Sequence, residues 1–137
     1  MNGNTLFEYN VVIKESHLDS FGHMNNGAYV QLYEEARWDF ITKNGFGLDV
    51  ILRDQVGPVL LDLQVRFKRE IQNRESITIQ SQAREVINSR IMILEQKMIN
   101  GEGKVASEAV FTVGFFDMKK RKLVDASAEW LRAVGIK

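Results

Sequence analysis

From Tyr29 to Ile41 the apolar residues Tyr29, Leu32, Tyr33, Ala36 and Phe40 recur at the spacing of one helical face, while Gln31, Glu35, Asp39 and Thr42 cluster opposite. Val30, Trp38 and Ile41 widen the apolar side, so the spacing predicts a long, heavily buried helix that stops at Asn44-Gly45. The rest of the chain changes period. Phe7 to Ile13 is aromatic and β-branched and predicts a first strand, followed by a polar loop from Lys14 to Gly22. After Gly57-Pro58, the residues Leu61, Leu63, Val65 and Phe67 alternate with Asp62, Gln64, Arg66 and Lys68, the period of a half-buried strand.

Three more strands are expected. Ile77, Ile79, Ser81 and Ala83 alternate within Ser76 to Val86, and Ile87-Asn88-Ser89 turns into Arg90 to Ile99. Asn100-Gly101-Glu102-Gly103 turns into Val105 to Phe116, with Val105, Ala109, Phe111, Val113 and Phe115 on one side. The short turns make this an antiparallel meander, and Ala126 to Val134 reads as a short packing helix. No repeat, linker or low-complexity segment interrupts the order strand, long helix, four strands, terminal helix. The pattern is α+β, a sheet that needs its helix to cover one face.

A chain of 137 residues with one Pro is a single domain, residues 1–137, at the usual ~100–200 residues per domain. With 18 Lys+Arg against 18 Asp+Glu there is no net field to draw a polyanion, so nucleic acid is not an expected partner. There is no Cys, which removes disulfides, a thiol nucleophile and a Cys-ligated zinc site. Met1 to Thr5 lacks a basic segment leading into an apolar one, and no apolar run approaches the ~18 residues of a membrane span. A cytoplasmic protein without a membrane span is expected.

The richest stretch chemically is Asp19 to Tyr29, where a carboxylate, Gly22, His23 and the amides Asn25 and Asn26 lead into the helix. Asp19 reads first as a turn former. Asn25 and Asn26 read as helix caps, and a helix that starts there presents unpaired N–H groups and a positive dipole end. His23 has an acid–base capacity or a loop-holding role. His17, Asp19 and His23 have neither a helical i, i+4 spacing nor a known zinc spacing, so no metal is expected. Glu34 stands beside Val30, Trp38 and Ile41, where a carboxylate should lose its hydration unless paired, with Arg37 at i+3 as candidate partner. No Gly-x-Ser-x-Gly elbow exists, and Ser20 lacks separated triad partners. Gly45-Phe46-Gly47 and Gly101-Glu102-Gly103-Lys104 lack the full spacing of phosphate-binding loops and read as turns. The basic run Lys119 to Lys122 reads as a solvated turn.

The pattern Asp-x-x-Gly-His-Met-Asn-Asn-x-x-Tyr at Asp19 to Tyr29, followed by Glu34-Glu35-Ala36-Arg37, resembles the hotdog-fold acyl-CoA thioesterases of the hydroxybenzoyl-CoA thioesterase superfamily. His17-Leu18-Asp19 together with Glu34 to Asp39 is similar to its long-chain acyl-CoA thioesterase branch, and the resemblance spans the whole chain. It implies an antiparallel five-stranded sheet wrapped around one long central helix, with a short C-terminal helix. It also implies hydrolysis of medium- to long-chain acyl-CoA to free fatty acid and CoA, with Asp19 as nucleophile or general base and Glu34 as the second catalytic candidate. The carbonyl-polarising backbone N–H falls at Asn26, with His23 and Asn25 positioning the loop.

Val30, Trp38, Ile41, Val59 and Leu61 are expected to line an acyl tunnel. Tyr29 is either core or a substrate contact, and Lys68 and Arg69 are candidates for the CoA phosphates. No cofactor is implied beyond the CoA of the substrate itself, and the protein is expected to form a homodimer or homotetramer. The (R)-specific hydratase pattern is not met between Asp19 and His23. The rival reading is a non-catalytic acyl-CoA binder or sensor on the same fold.

Overall fold

The computed structural model describes residues 3–137. The first two positions of the N-terminal stretch read above for a leader lie outside the described residues. Strand β1 (Leu6–Val12) leads through a short 3-10 turn (Glu15–His17) to helix α1 (Asn26–Lys43) and a second helix α2 (Leu48–Asp54). Strands β2 (Val56–Phe67), β3 (Ser76–Val86), β4 (Ile91–Ile99) and β5 (Val105–Asp117) follow, then a two-residue β6 (Lys122–Leu123) and helix α3 (Ala128–Ala133). The strands run antiparallel in the order β1-β3-β4-β5-β2, with β6 added beside β5. The expected five-stranded sheet therefore gains a sixth, minimal strand.

Helix α1 buries Ala28, Tyr29, Leu32, Tyr33, Ala36, Phe40 and Ile41 against the sheet, which accounts for the face read from its spacing. Asn25 caps its start, and Gly45 at φ +88 ends it in a conformation open to glycine. The Phe40 ring stacks on Phe7 of β1 at 4.4 Å, and α1 runs closest to β1 and β3. At the other end Trp130 of α3 packs edge-on to Phe46 at 5.4 Å and beside Phe115 at 6.0 Å, closing the core.

Five expectations are corrected. Gly45-Phe46-Gly47 is not only a turn: Gly47 caps α2, which buries Val50 and Ile51. Gly57 and Pro58 lie inside β2 rather than before it. This is tolerable because β2 is an edge strand, where a missing N–H costs no ladder bond.

The strand read as half-buried exposes Leu60, Leu61, Leu63 and Phe67 by 40–52% in the single chain, since α1 lies over β1 and β3 and leaves the β2 edge uncovered. Finally, β2 does not alternate throughout. Its register to β5 shifts between Leu60, opposite Val113, and Asp62, opposite Thr112, so Leu61 is a bulge residue. A similar shift beside Ala106 puts Val105 opposite Ile99, off the face shared by Ala109, Phe111, Val113 and Phe115. Among the described residues no helix is long and apolar enough to cross a membrane.

Candidate functional site

The loop between the 3-10 turn and α1 is a small closed hairpin. Leu18 and Met24 form an antiparallel bridge, the Asp19 N–H donates to His23 O at 2.8 Å, and the Asn25 N–H donates to His17 O at 2.8 Å. Gly22 turns the tip at φ +80. Asp19 Oδ1 accepts the N–H groups of Phe21 at 2.9 Å and His23 at 3.2 Å, so the turn-forming reading of this residue holds in full. The other carboxylate oxygen makes no hydrogen bond among the described residues. His23 Nε2 lies 3.0 Å from Glu70 Oε1 on the far side of the loop, in a pair that tethers the loop to the segment after β2.

At the helix start, Asn25 Oδ1 accepts the Gly27 N–H at 2.7 Å, and Asn25 O accepts those of Ala28 at 2.9 Å and Tyr29 at 3.4 Å. Asn25 alone is the cap; Asn26, expected to share that role, is the first helical residue. The Asn26 N–H is left as the one first-turn donor without an acceptor among the described residues. It sits at the positive end of an eighteen-residue helix, where an anionic oxygen is stabilised.

Three hollows lie along α1. A groove of 520 Å³ is bordered by Asn25, Gly27, Val30, Glu34, Arg37 and Leu60. An apolar chamber of 130 Å³ lies deeper, walled by Trp38, Ile41, Val59, Leu60, Met92 and Trp130. Glu34, Arg37 and Leu60 border both, so they form the neck between groove and chamber. A shallower depression of 260 Å³ gathers Asn26, Tyr29, Phe67, Lys68, Arg69 and Glu70.

The candidate residues are thus distributed rather than gathered at one point. Asn25 and Glu34 face the groove, Trp38 and Val59 the chamber, and Asn26, Tyr29, Lys68 and Arg69 the depression. Asp19 borders none of the three. Val30 belongs to the groove, and Leu61 to neither cavity of the expected tunnel. The bulge explains the last point: Pro58 and Leu60 share the inner face with Phe115 and Val113, whereas Val59 stands opposite Gly114. Tyr29 is a core residue in edge contact with Phe67 at 4.8 Å, and burial raises its phenol pKa. Lys68 pairs with Glu108 at 3.1 Å, while the Arg69 side chain has no ion-pair partner among the described residues.

Glu34 is exposed rather than desolvated, and Arg37 does not pair with it. Instead the Arg37 guanidinium turns inward, donates to Gln96 Oε1 at 2.9 Å and lies 4.4 Å above the Phe111 ring. Burial pulls its pKa down, with Glu34 acting in the opposite direction. Gln96 in turn donates to Tyr33 O at 3.0 Å and Ser81 Oγ at 2.9 Å, and the Tyr33 hydroxyl donates to Ser107 Oγ at 2.8 Å. This buried polar cluster was not read from the sequence, though it had a signal: Ser81 and Gln96 occupy inward positions of strands whose other inward residues are apolar. No group of three or more His, Cys, Asp or Glu among the described residues is arranged to hold a metal ion.

A curled antiparallel sheet around a helix, with a free N–H at the helix start and an apolar chamber further along the helix, is the layout of a hotdog-fold thioesterase. Residues 13–134 match the thioesterase-like superfamily, and the chain belongs to that family. It is 28% identical over 120 residues to the long-chain acyl-CoA thioesterase FadM of Escherichia coli (strain K12), covering 87% of this chain and 89% of that protein. Among solved structures it is similar to the probable thioesterase YbaW of Escherichia coli, with a TM-score of 0.80, 25% identity, and coverage of 95% of this chain and 98% of that one. A 1,4-dihydroxy-2-naphthoyl-CoA thioesterase from Synechocystis shares the fold, with a TM-score of 0.86 at 13% identity, covering 95% and 96% of the two chains.

Proposed function

We propose that this protein hydrolyses medium- to long-chain acyl-CoA thioesters to free acid and CoA, as a cytoplasmic homo-oligomer. The observation that carries the reading is the free Asn26 N–H at the start of α1, which borders the depression beside Lys68 and Arg69 and whose neighbours Asn25 and Gly27 border a groove that continues through a neck into an apolar chamber. The acyl chain enters the chamber, the thioester carbonyl lies at the helix start, and the CoA phosphates reach the Arg69 and Lys68 side.

A thioester is already activated, so one carboxylate and one well-placed donor suffice, and no resident metal or redox cofactor is required. Asp19 acts through its unbonded carboxylate oxygen, either by adding to the carbonyl carbon or by taking a proton from the water that adds. The carbonyl oxygen gains negative charge as the new C–O bond forms, and the Asn26 N–H stabilises it; a single such donor is typically worth ~10²–10³ in rate. The C–S bond then breaks and CoA leaves as thiolate. If Asp19 has added covalently, water opens the resulting anhydride. His23 and Asn25 hold the loop and helix start in place.

A second copy completes the site in this reading. The uncovered β2 edge, with Leu60, Leu61, Leu63 and Phe67 exposed, favours pairing with another chain, which would bring a second Asp19 toward a groove that Leu18 and Asn25 of the chain's own loop border but its own Asp19 does not. Thiol release measured across a panel of straight-chain acyl-CoAs tests the proposal. Release with all chains from hexanoyl upward supports hydrolysis. Tight binding of acyl-CoA without thiol release over hours would replace the enzyme with a sensor.

A further inference from the structure

The apolar chamber is too small for the substrate class proposed above. A cavity of about 150 Å³ takes one benzene-sized guest, so 130 Å³ holds only the first few carbons of an acyl chain. The chamber does not end against the bulk of the core. Its far wall consists of Met92, Val113 and Trp130, and the same three side chains line the inner side of another hollow of 50 Å³. That second hollow opens beside the β3–β4 turn, where Val86 borders it and Val86 and its neighbour Ile87 are exposed by 46% and 54%. Met92 and Val113 face each other across β4 and β5, and Trp130 closes over them from α3. Of the three, Met92 alone is an unbranched, flexible chain, the kind of side chain that yields to a guest at small cost.

We infer that Met92 is a gate in a continuous acyl channel, which runs from the helix-start groove through the chamber to a distal mouth at Val86, and that it sets the length of acyl chain the protein accepts. The inference rests on the acyl-CoA reading above and deepens it. Chains that stop within the chamber meet no obstacle, whereas longer ones must displace Met92 and then gain the apolar wall beyond it. Each methylene newly taken from water is worth about fourfold in affinity, so a gate held open or a mouth held shut rescales long substrates by one to two orders of magnitude.

The test compares kcat/KM for hexadecanoyl-CoA and octanoyl-CoA in the oligomeric protein. Met92→Ala removes the gate and is expected to raise the ratio by at least ~10-fold. Val86→Trp fills the distal mouth from an exposed position that places little demand on folding, and is expected to lower the ratio by a similar factor. A ratio that stays within about twofold of wild type in Val86→Trp, or in both variants, overturns the channel. A readout independent of turnover separates this failure from failure of the acyl-CoA reading. In a Trp38→Phe background Trp130 is the sole tryptophan, and ω-brominated acyl-CoAs should quench its fluorescence only once the chain is long enough to reach the partition. Quenching without thiol release keeps the channel and removes the enzyme; thiol release with no quenching at any chain length does the reverse.

Discussion

Arg37 of α1 and Gln96 of β4 meet in the interior, with the guanidinium Nη1 donating to the amide Oε1 at 2.9 Å, and no carboxylate among the described residues forms an ion pair with Arg37. Gln96 spends its amide hydrogens on Tyr33 O and Ser81 Oγ, so a single side chain satisfies three partners on two elements, α1 and β3. Every fully buried side-chain nitrogen and oxygen among the described residues has a partner. The remaining Arg37 donors therefore face the neck between groove and chamber.

Replacing Gln96 with Leu strands a partly buried guanidinium and removes the donor to Ser81 and Tyr33. The expected loss is about 2–4 kcal/mol, the range for breaking a buried bond to a charged group. Arg37→Met with Gln96→Leu should cost less than the sum of the two single changes, because the pair removes both ends of the bond. Urea unfolding at fixed protein concentration measures both; simple additivity would show that the two residues act independently.

What the sequence disclosed follows the physics of its periods. The buried face of α1, the meander β3-β4-β5 and the helix start at Asn25 were legible because long runs obey one period and Asn is a strong cap. The Arg37 contact was misread because helical spacing offers Glu34 as a partner, whereas the inward-pointing guanidinium finds Gln96 some sixty positions along the chain. The chamber wall was misread for a different reason. The bulge at Leu61 reverses the inward parity upstream of it, so extrapolating from Leu63 and Val65 selects Leu61, which lies outside the chamber, and misses Pro58 and Leu60, which line it together with the expected Val59. Helix α2, at seven residues, is too short to show a helical period.

Alkaline pH should destabilise the protein through its tyrosines. The Tyr9 hydroxyl donates to Glu35 Oε2 at 2.7 Å, and that hydrogen bond, with burial and the Glu35 charge, pushes its pKa up to about 12. Burial pushes Tyr33 in the same direction. A phenol whose folded pKa exceeds its unfolded value near 10 contributes stability that is fully present below pH 10 and is lost as pH rises through about 12. The Tm of wild type should therefore fall more steeply between pH 10 and 12 than that of Tyr9→Phe, with the gap at pH 8 closing at the alkaline end. Parallel Tm curves would remove Tyr9 from the account.

The β2 edge should carry the assembly. Leu63 is 43% exposed and faces the inner side of the sheet opposite Phe111. Leu63→Lys places a charge where a second chain would bury an apolar side chain, a device that keeps natural edge strands unpaired. Sedimentation should show wild type above the 15.7 kDa of one chain and the variant shifted toward it, with thiol release falling in step. A wild type that sediments as one chain and is fully active would show the site to be complete in a single copy.

The roles of the two carboxylates separate on substitution. Asp19→Asn keeps an Oδ1 acceptor for the Phe21 and His23 N–H groups, so the hairpin stays closed, but it removes the nucleophilic or basic oxygen. Turnover should fall by at least ~10² with acyl-CoA binding retained, since general-base catalysis typically contributes ~10²–10⁴. Glu34 borders the groove and the chamber neck and exerts a charge on Arg37, so Glu34→Gln should act on KM and the chain-length profile more than on kcat. The opposite result, full turnover in the Asp19 variant and none in the Glu34 variant, would move the chemistry from the loop to the helix. In that case the turn bonded by Asp19 serves only to hold Asn25 and Asn26 at the start of α1.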